Sequence, residues 1–148
     1  MDRIKTIEFK DNILHLIDQR KLPLSYQIFQ CTSYRDVDFA IKDMVVRGAP
    51  AIGVAGAYGV VLAAKEFIDC DRDDFLIHMD EALEILNRSR PTAVNLMWAI
   101  NKMRSIIEEN KDLPPADLYD KLRQEADRML KQDIDTNRKM GKVGNEIV

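Results

Sequence analysis

The segment that most constrains the fold runs from Gly48 to Ala64. It is 17 residues without a charged side chain, and it holds four glycines and a proline. A membrane-spanning helix needs about 20 predominantly apolar residues. This run is shorter and rich in glycine, so it reads as a buried helix. Within it, Gly53, Gly56 and Gly59 form GxxGxxG, not the GxGxxG of dinucleotide sites. Glycine inside a helix costs about 1 kcal/mol relative to alanine. Close approach of a neighbouring backbone explains that cost better than a phosphate cradle made by the glycines themselves.

Hydrophobic periodicity changes once along the chain. Before residue 32 it is strand-like. Ile7–Lys10 and Ile13–Ile17 flank Asp11-Asn12, a two-residue hairpin signal. Asp18–Pro23 is polar and ends in proline, which reads as a turn, and Tyr26–Cys31 reads as a third strand. From Thr32 the period is helical. Thr32 or Ser33 caps a helix through about Val46, with Val37, Ala40, Ile41, Met44 and Val45 on its apolar face. Pro50 to about Phe67 is the glycine-rich helix. Asp73 or Asp74 caps a third, containing Phe75, Met79, Ala82, Leu83 and Leu86. Pro91 to about Glu108 is apolar on two stripes, which predicts a central position. Pro114–Asp117 opens the last helix, with Leu118, Leu122, Met129, Leu130 and Ile134 as its stripe. The expected fold class is α+β. A small antiparallel sheet in residues 1–31 packs on a helical bundle in residues 32–148, together one domain, with at least four helices and no strand beyond residue 31.

The formal net charge of −3 and a pI near 5.4 argue against a sequence-independent nucleic-acid binder, which needs a basic surface. They leave room for a small phosphorylated ligand, for which two or three local cations suffice. Cys31 and Cys70 lie far apart, no CxxC exists, and the only histidines are His15 and His78, so no metal site is expected. The cysteines have no local base and read as inert thiols. His15 alternates within an apparent strand and reads as a solvent-facing or structural imidazole rather than a catalyst. No nucleophile with its base and no paired acid–base carboxylates are visible, so no catalytic residue is assigned. Met1-Asp2-Arg3-Ile4-Lys5 lacks the apolar core of a signal peptide. A reduced, cytoplasmic setting without a membrane anchor is expected. The amphipathic end, Gly141–Val148, stops without a polar tail, so the chain reads as cut. The same end and the last helix form an apolar face expected to drive homo-oligomerisation, at least to a dimer.

Two arginines carry the functional reading. Arg47-Gly48-Ala49-Pro50 and Arg90-Pro91-Thr92-Ala93 each place Arg just before a Pro suited to the first turn of a helix. A cation at a helix N-terminus is unfavourable by roughly 0.3–1 kcal/mol. Two such departures point to an anion held between guanidinium and helix end, because free N–H groups plus guanidinium make a phosphate site. The residues leave an alternative for Arg47, as the cation that ends the preceding helix. For Arg90 that alternative is weaker, since Arg88 is placed for the role. Asn95 bonds either a ligand or a neighbouring backbone.

Asp18–Pro23, then Met44–Gly53, then Ser89–Leu96 with Trp98 closely resemble the methylthioribose-1-phosphate isomerase family, within the superfamily of initiation factor 2B α, β and δ subunits. The resemblance implies an aldose–ketose isomerisation in methionine salvage, from 5-methylthioribose 1-phosphate to 5-methylthioribulose 1-phosphate, with no metal or organic cofactor. It maps substrate contacts to Arg47, Gly48, Ala49 and Arg90. Family members continue into a Rossmann-like half, where a Thr-His-Cys-Asn-type segment carries the catalytic cysteine and a later segment the catalytic aspartate. Neither segment occurs here, and Cys31 and Cys70 stand in other contexts. The resemblance therefore implies a substrate-binding N-terminal domain, inactive alone, whose partners are the sugar phosphate and the absent half. A ribose-1,5-bisphosphate isomerase and a noncatalytic initiation-factor-like subunit are the alternatives it leaves open.

Overall fold

The structure, a computed structural model, describes residues 7–147, with side chains described through Asp135. Three strands come first: β1 (Ile7–Lys10), β2 (Ile13–Ile17) and β3 (Ile28–Cys31), antiparallel in the order β1-β2-β3. Asp11 and Asn12 have φ of 56° and 59°, and Lys10 pairs with Ile13. That is the two-residue hairpin whose backbone twist matches its strands. Leu14 pairs with Cys31 and Leu16 with Phe29. Leu14, Leu16 and Cys31 are buried, while His15 lies between Glu8 and Gln30 in the register.

Five helices follow: α1 (Tyr34–Lys42), α2 (Ala49–Glu66), α3 (Arg72–Asn87), α4 (Val94–Glu109) and α5 (Pro115–Ile147). Every residue from Ile52 to Ala64 of α2 is buried, because α1, α3, α4 and α5 all pack on this one helix. Ile7, Leu14, Leu16 and Cys31 of the sheet join the helical side chains in one core. A helix with no polar face is thus surrounded, as its composition requires.

The glycine stripe is the packing device. A Cβ at Gly53 would stand 3.0 Å from the Asn95 carbonyl oxygen, and one at Gly56 only 2.4 Å from Leu96 Cδ1. At Gly59 it would meet Leu86 Cδ2 at 2.9 Å and Val37 Cγ1 at 3.1 Å.

Several boundaries depart from the expectations. The first helix ends at Lys42, not Val46. Met44 takes φ 62°, its N–H bonds the Ile41 carbonyl at 3.4 Å, and the Val45 N–H bonds the Ala40 carbonyl at 2.9 Å. This is a Schellman turn with methionine where glycine is usual. Met44 is therefore exposed, and Val45 and Val46 fold back into the core. The cap of α3 is Asp71, whose carboxylate accepts from the Asp74 N–H at 2.9 Å; Asp73 and Asp74 lie in the first turn. Pro91 does not start a helix. It is the second residue of a β-turn closed by the Ala93 N–H on the Arg90 carbonyl at 3.0 Å, and α4 begins at Val94. Nor is α4 central. Leu96, Ala99, Ile100, Met103 and Ile107 face the core, while its other apolar stripe, Val94, Met97 and Trp98, is exposed. The third strand starts at Ile28 rather than Tyr26. No helix among the described residues is long and apolar enough to cross a membrane. The side chains of the amphipathic end, Met140–Val148, lie outside the described residues.

Candidate functional site

The starts of α2 and α4 lie at the same end of the molecule. Gly53 faces Asn95, and a Cβ on Gly56 would reach Ile100 Cδ1 at 3.6 Å, so the two helices run parallel. Their first turns differ from those of α1 and α3. α1 has the Ser33 hydroxyl as cap and Asp36 in its first turn, and α3 has Asp71 as cap with Asp73 and Asp74. The caps of α2 and α4 are Gly48 and Ala93, with no side-chain hydrogen bond and no acid in the first turn. The N–H groups of Ala49 and Ala51 in α2, and of Val94, Asn95 and Leu96 in α4, have no described partner. Two parallel, uncapped helix ends thus present backbone donors and partial positive charge on the same side of the molecule.

The backbone before α2 is aimed by two devices. The Schellman turn reverses the chain after α1, and Gly48 then takes φ 93°, ψ 129°, which a residue with a Cβ rarely adopts. The turn after β2 holds this segment from the other side. The Gln19 N–H bonds the Val45 carbonyl at 2.9 Å. Asp18, with its side chain only 5% exposed, accepts from the Arg20 N–H at 3.0 Å, Nε at 2.9 Å and Nη2 at 2.7 Å. Arg20 also donates to Asp43 just past α1, at 3.2 Å. The Arg20 guanidinium holds the Asp18 carboxyl below the usual carboxylate range, against the opposing effect of burial. The Asp18–Pro23 segment is therefore a brace for the Arg47 loop.

Arg47 is exposed and has no hydrogen bond or ion pair among the described residues. The basic residue in the last turn of α1 is Lys42, so Arg47, beyond the Schellman turn, does not end that helix. Arg90 is half-buried and likewise without a described partner. Its turn is fixed by buried Ser89, whose hydroxyl donates to Asp38 of α1. Arg88 occupies the C-cap of α3, with Nε on the Glu84 carbonyl at 3.3 Å. The Asn95 side chain bonds no neighbouring backbone among the described residues.

Two cavities flank the start of α2. One, of about 220 Å³, is lined by Arg47, Gly48, Ala51 and Gln19 with Ile7, Ile17 and Val46. The other, of about 350 Å³, is lined by Gly53, Val54, Asn95, Trp98 and Ala99 with Met129 and Gln132 of α5. Pro50 and Asp133 border both. The sequence reading assigned no role to Gln19, Gln132 or Asp133. A signal for Asp133 was present, since it stands four residues after Met129 on the stripe that α5 turns inward. Cys31 is buried, and that burial pushes its thiol up to about 12, so it is no nucleophile. Among the described residues no group of His, Cys, Asp and Glu is arranged to hold a metal.

Comparison with known proteins bears on this geometry. The profile of the "Initiation factor 2 subunit family" matches residues 45–148. A protein of Caldanaerobacter subterraneus subsp. tengcongensis named methylthioribose-1-phosphate isomerase is 59% identical over all 148 residues, and one of Thermoanaerobacter sp. (strain X514) with the same name is 62% identical. The chain spans 43% of the length of each. The crystal structure of 5-methylthioribose 1-phosphate isomerase from Pyrococcus horikoshii superposes with a TM-score of 0.90 at 37% identity, over 97% of this chain and 40% of that one. Translation initiation factor eIF-2B subunit delta from A. fulgidus superposes at 0.89 and 36% identity, over 99% of this chain and 42% of that one. On the profile match, with these relatives beside it, the chain belongs to the Initiation factor 2 subunit family.

Proposed function

We propose that this chain is the phosphate-holding wall of an isomerase that converts 5-methylthioribose 1-phosphate to 5-methylthioribulose 1-phosphate, a step of methionine salvage. The observation that supports the reading best is the pair of parallel, uncapped helix starts, with Arg47 lining the cavity at the first and Arg90, which lines neither cavity, in the turn before the second, each without a described partner. In this reading Arg47, with the N–H groups of the Gly48–Ala49 turn, takes the phosphate, and Arg90 with the start of α4 adds the second cation. The charge-assisted contacts fix the sugar in the cleft and supply binding energy away from the reacting carbons. The acid and base come from the Rossmann-like half that the resemblance implies, with residues 1–31 and 32–148 forming the one domain it packs against. We place the protein in the cytoplasm as a homodimer.

The initiation-factor-like reading has the A. fulgidus superposition in its favour, and the fold does not separate the two. Identity of 59–62% to proteins named as isomerases, against 36% to that subunit, favours the enzyme. The test is titration of the purified 148-residue chain with 5-methylthioribose 1-phosphate, followed by assay for the ketose. Binding without turnover is expected. Turnover by this chain alone, or no binding, would contradict the proposal, and tighter binding of ribose 1,5-bisphosphate would move it to that isomerase.

A further inference from the structure

Asp133 borders the anion site and yet has no part in holding an anion. α5 runs antiparallel to α2: the Tyr58 hydroxyl donates to Asp127 at 2.6 Å, and further along Met129 and Gln132 line a cavity with Val54 and Pro50. Asp133 follows, on the wall shared by the Arg47 cavity and the Trp98 cavity. It is half-buried and makes no hydrogen bond or ion pair among the described residues. Burial raises its pKa, the mark of a carboxylate that lacks a donor. Half-burying a carboxylate without a partner is unfavourable. Beside a bound phosphate its charge is repulsive as well. A bare phosphate is therefore matched by Arg47 and the helix ends but leaves Asp133 without a donor. A ligand that joins a phosphate to hydroxyl donors complements both, because a carboxylate accepts from two adjacent hydroxyls.

We propose that Asp133 holds the hydroxyl groups of the sugar whose phosphate lies at Arg47, and so sets the preference for a sugar phosphate over phosphate alone. This inference rests on the phosphate site proposed above. The experiment is a backbone-amide NMR titration of the 148-residue chain with inorganic phosphate and, separately, with ribose 1-phosphate. It uses the wild type, Asp133→Asn, Asp133→Ala and Arg47→Ala. Both Asp133 variants should lose affinity for ribose 1-phosphate, about tenfold for the alanine, and bind inorganic phosphate as well as or better than wild type. Arg47→Ala should weaken both ligands. Thermal unfolding of Asp133→Asn should show no loss of stability, which separates lost contact from lost fold. An unchanged preference for ribose 1-phosphate in Asp133→Asn would overturn the inference and leave the phosphate site standing. Equal tightening of both ligands would also overturn it, because Asp133 would then be only an anion surrogate at the start of α2. Failure of the wild type to bind either ligand would overturn the phosphate site and this inference together.

Discussion

Gly48 and Met44 meet the same backbone demand with opposite residues. Both have positive φ, 93° and 62°, and both turn the chain toward Arg47. A Cβ on Gly48 would touch nothing within 4 Å, so a substitution there is felt through the backbone alone. Gly48→Ala should lower stability by about 1–2 kcal/mol. Met44→Gly should raise it by about 0.5–1 kcal/mol, less the entropy that glycine adds to the unfolded chain. Chemical denaturation of both variants checks the pair, and a shift of the same sign in each would contradict it. Asp18 supplies a pH dependence. Its folded carboxyl titrates below the ordinary 3.8, so the unfolded chain binds the proton more readily. The Asp18–Arg20 contribution is therefore present above about pH 4 and is lost as pH falls through the folded value. Asp18→Asn should cost about 1–2 kcal/mol at neutral pH, after discounting for the partial exposure of Arg20. It should also flatten the acid limb of a stability–pH curve; an unchanged limb would count against the brace. At this scale the turn at Asp18–Pro23 was legible in composition. Its purpose was not, because Asp43 and Val45 reach it only through tertiary folding.

At the scale of elements, the existence and type of each one could be read from period and composition, and their ends could not. The 17-residue uncharged run had to be a surrounded helix, and it is. The Asp11-Asn12 hairpin followed from turn chemistry. The first helix stops four residues early because a Schellman turn forms on methionine, where no glycine signals it. Pro91 satisfies a β-turn as well as it would a helix start, and the turn prevails. Asp71, Asp73 and Asp74 are chemically equal as caps until the backbone selects one. The two stripes of α4 could not say which would be covered. Close packing gives the element-scale prediction. A methyl on Gly53 meets a backbone carbonyl at 3.0 Å, which cannot rotate aside as the Leu96 side chain opposite Gly56 can. Gly53→Ala should cost about 1–2 kcal/mol even after the helix-propensity gain, and should weaken phosphate binding by moving the start of α4. Retained stability with unchanged anion affinity would show that the two helix ends are not held in register by this contact.

At the scale of the molecule, one surrounded helix organises everything that bears on function. α4 lies parallel to α2 and brings a second uncapped N-terminus beside the first, while α5 lies antiparallel and brings Gln132 and Asp133 to the same end. The arginine-led segments were visible in the sequence as departures from helix electrostatics, and the resemblance gave them a ligand. The contribution of α5 was not visible, because it depends on which way a distant helix runs across α2. The central claim is that the two helix starts and their arginines form one anion site. The most direct test is the amide NMR titration of the purified chain with inorganic phosphate. The largest shifts should fall on Gly48, Ala49, Ala51, Val94 and Asn95 together, with one binding constant. Arg47→Ala and Arg90→Ala should each remove a charge-assisted contact of about 1.5–3 kcal/mol, a ten- to hundredfold loss of affinity, with little change in unfolding temperature. Shifts confined to one helix start, or an affinity indifferent to either arginine, would contradict a shared site.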